Sequence, residues 1–371
     1  MAEIDWTKTG YSYDIVVNVV HQTNVDDVLG MLSGVQLSGM TVTSKYYSDS
    51  RDQAKLTTIV PEGESDGYIK NARLRIVMSI PSRFWSEELI TGYVSDVDTV
   101  VESGYTKRTY TIEGTLWGLL EHKTNSAITI GSGAGLIKTW RSLMEGQTRM
   151  QFDTSRAQDH SFSSTIVYEA GTVLATLLFE ISSGYDRMTN DGHGRVILAK
   201  YTEPSNMTPE KVIDYKDTIG LSMAPLSAND TSYESPGEAI VTANISTKDP
   251  NDENKTIQTV VVGHYRAPDS HPTSIATRGF MRSRSDSYNG SGNNPTKDEL
   301  NGIAEKNWKA NQDKGITWTV SSVFADYHAG EVVTLVAPYG FEGSDYSHKV
   351  LISEVQTNMD YLTQDLTLKE V

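Results

Sequence analysis

The sequence predicts a mainly β protein with α+β insertions: two related β-barrel-like domains and a helix-containing inserted subdomain. Three observations lead there. The composition combines 29 glycines and 19 tyrosines with 37% hydrophobic residues, which suits short strands joined by turns better than a helical bundle. Apolar residues alternate with a period of two over most of the chain and fall at three- and four-residue spacing mainly in its middle. One hairpin pattern occurs in both halves. A chain of 371 residues also exceeds the usual size of one domain, so two to four subdomains of about 100 residues each are expected.

The elements follow in order. From Tyr11 to Thr43, the β-branched runs Ile15 to Val20 and Met40 to Thr43 read as strands around a brief helical turn near Asp26 to Leu32. Ser48 to Gln53 is polar, and Ala72 to Ile80 alternates Leu74, Ile76, Met78 and Ile80, as one half-buried face requires. Thr91 to Val101 and Lys107 to Glu113 form a hairpin around Glu102-Ser103-Gly104. Thr115 to His122, Leu136 to Met144 and Thr172 to Ile181 carry helical spacing. Tyr185 to Tyr201 is a second hairpin, turning at Asn190-Asp191-Gly192-His193-Gly194, because Asn, Asp and Gly tolerate positive φ. Strands return at Ile219 to Met223 and Ala239 to Ile245, and the polar turn Lys248 to Lys255 leads into Thr256 to Gly263. Arg278 to Pro295 is poor in bulky residues and includes a predicted mobile loop, Asn289 to Asn294. Thr296 and Glu299 form a capping-box pattern opening a helix to about Gln312, ended by Gly315, and strands run from Trp318 to the C-terminus.

The resulting organisation is an N-terminal β-barrel-like domain (1–114), an inserted α+β subdomain (115–202), a strand-rich return segment (203–270), a connecting loop and helix (271–317), and C-terminal strands (318–371) that complete the second barrel-like domain. The repeat behind this pairing aligns Tyr93-Val94-Ser95-Asp96-Val97-Asp98-Thr99 with Leu351-Ile352-Ser353-Glu354-Val355-Gln356-Thr357. Their closing strands, Arg108 to Ile112 and Gln364 to Leu368, also correspond.

Charge narrows the function classes. With 48 acidic against 32 basic residues the formal charge is −16, so the average surface repels nucleic acid and anionic membrane. The absence of cysteine excludes disulfides, thiolate metal sites and a cysteine nucleophile. No stretch approaches the ~20 apolar residues of a membrane helix. The opening Met1 to Trp6 has neither a basic n-region nor an apolar h-region, which predicts cytoplasmic synthesis without secretory export.

No catalytic, cofactor-binding or metal-ligating residue is predicted, and the chain reads as a non-enzyme. Gly131, Gly133 and Gly135 lie between a strand and a helix, but they alternate without the spacing of a dinucleotide fold or the Lys of a phosphate loop, and read as a flexible turn. The eight histidines lack metal-ligand spacing; His160, beside Asp159, and His193, in its turn, read as surface residues. Asp96 and Asp98 share one side of a strand, with a solvated face as the default reading. Asp249, Asn251 and Glu253 resemble part of a calcium loop, but Asn254 stands where that loop needs Gly, which favours a plain turn. Arg278, Arg282 and Arg284 surround Phe280 in the main basic cluster, suited either to a partner or lumen contact or to a solvated charge run.

The layout resembles the tail hub family of long-tailed phages and contractile injection systems. The resemblance covers nearly the whole chain: a strand-rich opening, Tyr93 to Leu120 entering a helical insert, the Asn190 to Gly194 hairpin, the helix from Thr296, and an ending in Gly330-Glu331-Val332-Val333-Thr334-Leu335 followed by Lys349 to Leu368. It implies a homotrimeric structural hub of a tail tip or baseplate that closes the tail tube. Such a hub helps control DNA ejection and attaches host-recognition parts. The implied partners are distal tail or tail tube proteins, a tape-measure protein and receptor-binding proteins. The implied location is the virion tail tip, after assembly in the host bacterial cytoplasm, with DNA passing non-specifically through a channel. Relatives with long extensions carry peptidoglycan-cleaving or receptor-binding domains, and the end at Val371 leads to the expectation that none is attached here. A carbohydrate-binding receptor-recognition module is the alternative reading of the same β-rich, Tyr-rich, cysteine-free composition.

Overall fold

The computed structural model describes residues 12–46, 52–183, 185–214, 226–230, 234–249, 252–288, 295–310, 316–337 and 346–371. The chain divides into two compact units, one of residues 1–226 with 319–369 and 371, the other of residues 227–318 with 370.

In the first unit the chain opens with β1 (Asp14–Val20), β2 (Val28–Met31), β3 (Val35–Lys45), β4 (Asp52–Pro61), β5 (Arg73–Ile80), β6 (Trp85–Glu102) and β7 (Tyr105–Gly114). The alternation in β5 does what the sequence predicts: Leu74, Ile76, Met78 and Ile80 are fully buried, each contributing about 1.5–3 kcal/mol of hydrophobic stabilisation. The helical turn expected near Asp26 to Leu32 is instead the strand β2, because Asn18 and Val19 of β1 pair with Met31 and Gly30 and the backbone ladder overrides a weak local pattern.

The insert follows as α1 (Trp117–Glu121), β8 (Ile128–Ile130), α2 (Leu136–Gln147), β9 (Phe152–Arg156), β10 (Ile166–Tyr168), α3 (Leu174–Ser182), β11 (Asp186–Asn190) and β12 (Val196–Lys200). Leu136, Trp140 and Met144 stack along one face of α2, and Leu174, Leu177, Leu178 and Ile181 along one face of α3. These faces meet Met188, Val196 and Leu198 of the β11–β12 hairpin in a core of the insert's own. The glycine turn before α2 presents its helix amide to a side chain of the same subdomain, since Ile137 N donates to Asp159 Oδ1 at 3.0 Å.

The chain then passes through β13 (Lys211–Asp214) and leaves for the second unit. There it forms β14 (Ser227–Asp230), β15 (Glu238–Asp249), β16 (Asp252–Arg266), α4 (Ile275–Arg278), β17 (Ser283–Ser287) and α5 (Lys297–Ala310). β15 and β16 make a long antiparallel hairpin, and β17 runs parallel to β15. The polar Lys248 to Lys255 segment is therefore mostly ladder, down to Asp249 opposite Asp252, and the polar strand β17 lies inside a segment whose lack of apolar alternation reads as loop. α5 seats Leu300, Ala304 and Trp308 against Ala239, Val241 and Ala243, and the approach needs Gly263, where a Cβ would meet Leu300 backbone at 2.2 Å. The capping box forms as expected: Glu299 N donates to Thr296 Oγ1 at 3.2 Å and Thr296 N to Glu299 Oε2 at 2.7 Å. The strand expected at Ile219 to Met223 and the loop Asn289 to Asn294 lie outside the described residues, as do Gln312, Gly315 and Asn251.

The chain closes with β18 (Ile316–Val323), β19 (Val332–Ala337), β20 (Tyr346–Asn358) and β21 (Thr363–Glu370). In the first unit the strand order β18-β21-β20, with β19 also on β20, matches β4-β7-β6-β5. The two repeated segments thus occupy β6 and β20, the same position in two meanders of the same order. The meanders join edge to edge where Glu354 to Asn358 of β20 pair with Lys45 to Thr41 of β3.

Candidate functional site

Where β6 begins, a tight turn at Pro81 to Arg83 ends at Phe84 with φ 52°, and Trp85 then packs edge-on against Phe324 at 5.9 Å. The β5–β6 register slips between Ile76 and Val77, which face Ile90 and Glu88, so the bulge re-aims the side chains at the start of β6. Glu87 and Glu88, adjacent on a strand, serve two separate polar networks.

Glu87 meets the loop after β18. Its Oε1 lies 3.4 Å from His328 Nδ1, while His328 Nε2 lies 3.1 Å from Asp326 Oδ1. Burial pushes the Glu87 carboxyl up to about 7; the neighbouring Asp326 adds to the rise, and His328 and Lys211 oppose it. Its hydrogen bond to Asp326 raises His328 above the ordinary imidazole range against a burial penalty. Burial works against ionising Asp326 as well, yet the hydrogen bond and charge of His328 outweigh it and hold that carboxyl below the usual range. The loop is pinned. Gln364 accepts from Ala325 N at 3.1 Å and donates to the Tyr327 carbonyl at 3.2 Å, and Lys211 Nζ donates to the Asp326 carbonyl at 2.6 Å and to both Glu331 carboxylate oxygens at 3.0 Å. The group borders a polar cleft lined by Ser44, Tyr46, Glu87, Asn190, Tyr327 and His328.

Glu88 turns to the insert. Its carboxylate contacts His193 Nδ1 at 2.7 Å and Arg75 Nη1 at 3.2 Å, and His193 Nε2 reaches Asp26 Oδ1 at 2.7 Å. His193 is therefore a bridge between strands and insert, not the free surface residue that its turn suggests. His160 likewise stacks on Tyr185 with ring centroids 3.6 Å apart. Arg73 and Arg75, on the β5 face that the alternation assigns to solvent, are buried beneath the insert hairpin. Arg73 Nη1 donates to the Gly194 carbonyl at 3.3 Å, and Thr91 Oγ1 donates to the Gly192 carbonyl at 2.6 Å. Gly192 is required at this contact, because a Cβ there would sit 1.8 Å from the Glu88 carbonyl oxygen.

The basic cluster singled out from sequence lies in the second unit. Arg278 ends α4 and donates through Nη1 to the Ser235 carbonyl at 2.6 Å, Phe280 is 45% exposed, the Arg282 carbonyl accepts from Gly237 N at 2.9 Å, and Arg284 Nε lies 3.0 Å from Asp286 Oδ2. Part of the cluster's charge is thus engaged within its own unit. Asp96 and Asp98 are both exposed on the β6–β7 ribbon. The Glu87–Asp326–His328 group escapes local reading because a strand residue meets a loop far away in the chain; the Asp-x-His spacing at 326–328 is the one signal the sequence offers.

No protein-family model matches the chain, and no curated protein does. Solved structures do. The tail protein from Neisseria meningitidis MC58 aligns with a TM-score of 0.65 at 13% identity over 97% of both chains. The 43 kDa tail protein of prophage MuSo2 from Shewanella oneidensis aligns with a TM-score of 0.65 at 10% identity, over 97% of this chain and 98% of that one. The prophage tail protein gp18 from Listeria monocytogenes EGD-e aligns at 0.53 and 12% identity, over 96% and 94%. Across nearly its whole length the chain has the fold of these tail proteins.

Proposed function

We propose that the chain is a non-enzymatic structural subunit of a phage-type tail tip or baseplate, with three copies forming a hub ring that closes the tail tube and helps control DNA ejection. The observation that carries this reading is the likeness to tail proteins over 97% of both chains. The paired meanders support it: two like β units in each of three subunits turn three-fold symmetry into six quasi-equivalent contacts, as docking on a six-fold tube requires. The formal charge of −16 suits a channel through which DNA slides without sticking.

On this reading the ring's partners are distal tail or tube proteins, the tape-measure end and receptor-binding proteins, and assembly takes place in the host bacterial cytoplasm. Arg278, Phe280, Arg282 and Arg284 are proposed as a partner or lumen contact, with the half-exposed Phe280 ring as its apolar centre. Light scattering of the purified chain across a concentration series tests the reading. A trimer, alone or once tube protein is added, is the expected result. A chain that stays monomeric in both conditions and binds glycans would replace the hub with the carbohydrate-binding reading.

A further inference from the structure

Independently of the tail reading, we propose that Glu87, Asp326 and His328 bind one divalent transition-metal ion of the zinc or manganese class, tying β6 to the loop after β18. One donor atom from each side chain lies within 4.8 Å of the other two. Ligands held about 2.0–2.2 Å from a shared ion fall within that span. Two carboxylates and one imidazole form a borderline donor set, suited to zinc, manganese or ferrous iron, whereas calcium prefers six to eight oxygens.

A second observation is independent of this convergence: Glu87 Oε2 is buried and no donor reaches it, and the neighbouring Asp326 carboxyl can hydrogen-bond with Glu87 only if one of the two is protonated. Folding has stripped that oxygen of water without supplying a donor, and a cation is the missing partner of the right sign. The surroundings orient the ligands as outer shells of metal sites do. Lys211 holds the Asp326 carbonyl, Glu331 Oε2 accepts from His328 N at 3.3 Å, and Gln364 fixes the loop on both sides of Tyr327. Glu331 also pairs with Lys211 at 3.0 Å, which offsets part of that lysine's charge beside the group. The adjoining cleft gives solvent a route to the remaining coordination positions.

The test is calorimetric titration of the chelator-stripped full chain with zinc chloride and, separately, manganese chloride, with cobalt absorption as the spectroscopic readout. Saturable binding of one ion per chain is expected, weakened by more than about tenfold in His328→Ala and in Asp326→Asn, since each removes or neutralises a direct ligand. Asn tolerates the left-handed backbone at Asp326, φ 58°, so the second variant separates lost ligation from misfolding. His264→Ala, outside the group, is expected to bind as the parent does. Absence of saturable binding, or equal binding by the parent and both ligand variants, overturns the proposal, including the case in which the group responds only to protons.

Discussion

Arg75 of β5 donates through Nη2 to the carbonyl of His193, 3.1 Å away, so a strand and the inserted hairpin share one buried guanidinium. The same group reaches the Val25 carbonyl at 2.5 Å, and Arg75 Nε donates to Thr91 Oγ1 at 3.1 Å. The side chain is only 5% exposed, so this one cation satisfies acceptors that water cannot reach.

Arg75→Ala is therefore expected to destabilise the first unit by about 3–5 kcal/mol, because it removes one partner of Glu88 and leaves the Val25 and His193 carbonyls without this donor. Urea denaturation would read this as a lowered midpoint. A change below about 0.5 kcal/mol, the range of ordinary surface substitutions, would count against the network.

Gly192→Ala is expected to undock the hairpin, since the Glu88 carbonyl oxygen leaves no room for a methyl group. Amide exchange should accelerate at the β5 and β6 backbone, while the insert core around Trp140 keeps its protection. Unchanged exchange on β5 and β6 would contradict the contact.

Asp66 provides the pH prediction. Burial opposes its ionisation, but hydrogen bonds from Tyr110 at 2.5 Å, Thr58 at 2.8 Å and Tyr68 N, with Arg108 at 2.6 Å, hold the carboxyl below the usual aspartate range. A depressed folded value means that its stabilisation is complete above the ordinary aspartate pKa of about 3.9 and fades as pH falls through the folded value. Asp66→Asn should lower stability at neutral pH by about 2–4 kcal/mol and flatten the loss between about pH 4 and the acid transition. Stability curves for parent and variant that stay parallel through that window would refute this assignment.

Gly302→Ala works in the opposite direction. Gly302 lies within α5, and a Cβ there meets nothing within 4 Å, so the substitution should stabilise the second unit by about 0.5–1 kcal/mol. Thermal unfolding followed by the fluorescence of Trp308, on the same helix, would register the gain.

Local patterning reveals what is local. Leu74 to Ile80, the Leu136–Trp140–Met144 stripe and the Thr296–Glu299 capping box each state their structure within a few residues, and the structure realises all three. The hairpin repeat in β6 and β20 is also legible, because equivalent positions in two meanders retain the same alternation. Arg73 and Arg75 are misread because nothing in β5 tells of a hairpin more than a hundred residues later, folding over its polar face. Strand β17, Ser-Arg-Ser-Asp-Ser, has no apolar alternation to betray it; its order comes from pairing with β15. The Glu87–Asp326–His328 group stays hidden for the same reason as the arginines: a site assembled from a strand and a loop far apart in the chain leaves only fragments in any one window.

The seam between β3 and β20 constrains how the chain can fold as it is made. Met359 N donates to the Met40 carbonyl, and the Tyr13 hydroxyl donates to the Met359 carbonyl, so an early part of the chain is completed by one translated more than three hundred residues later. Until β20 emerges from the ribosome, one edge of β3 lacks its partner for residues 41–45 and is an open template for other strands. Such late closure favours slower folding and lengthens the exposure of that edge to misassociation.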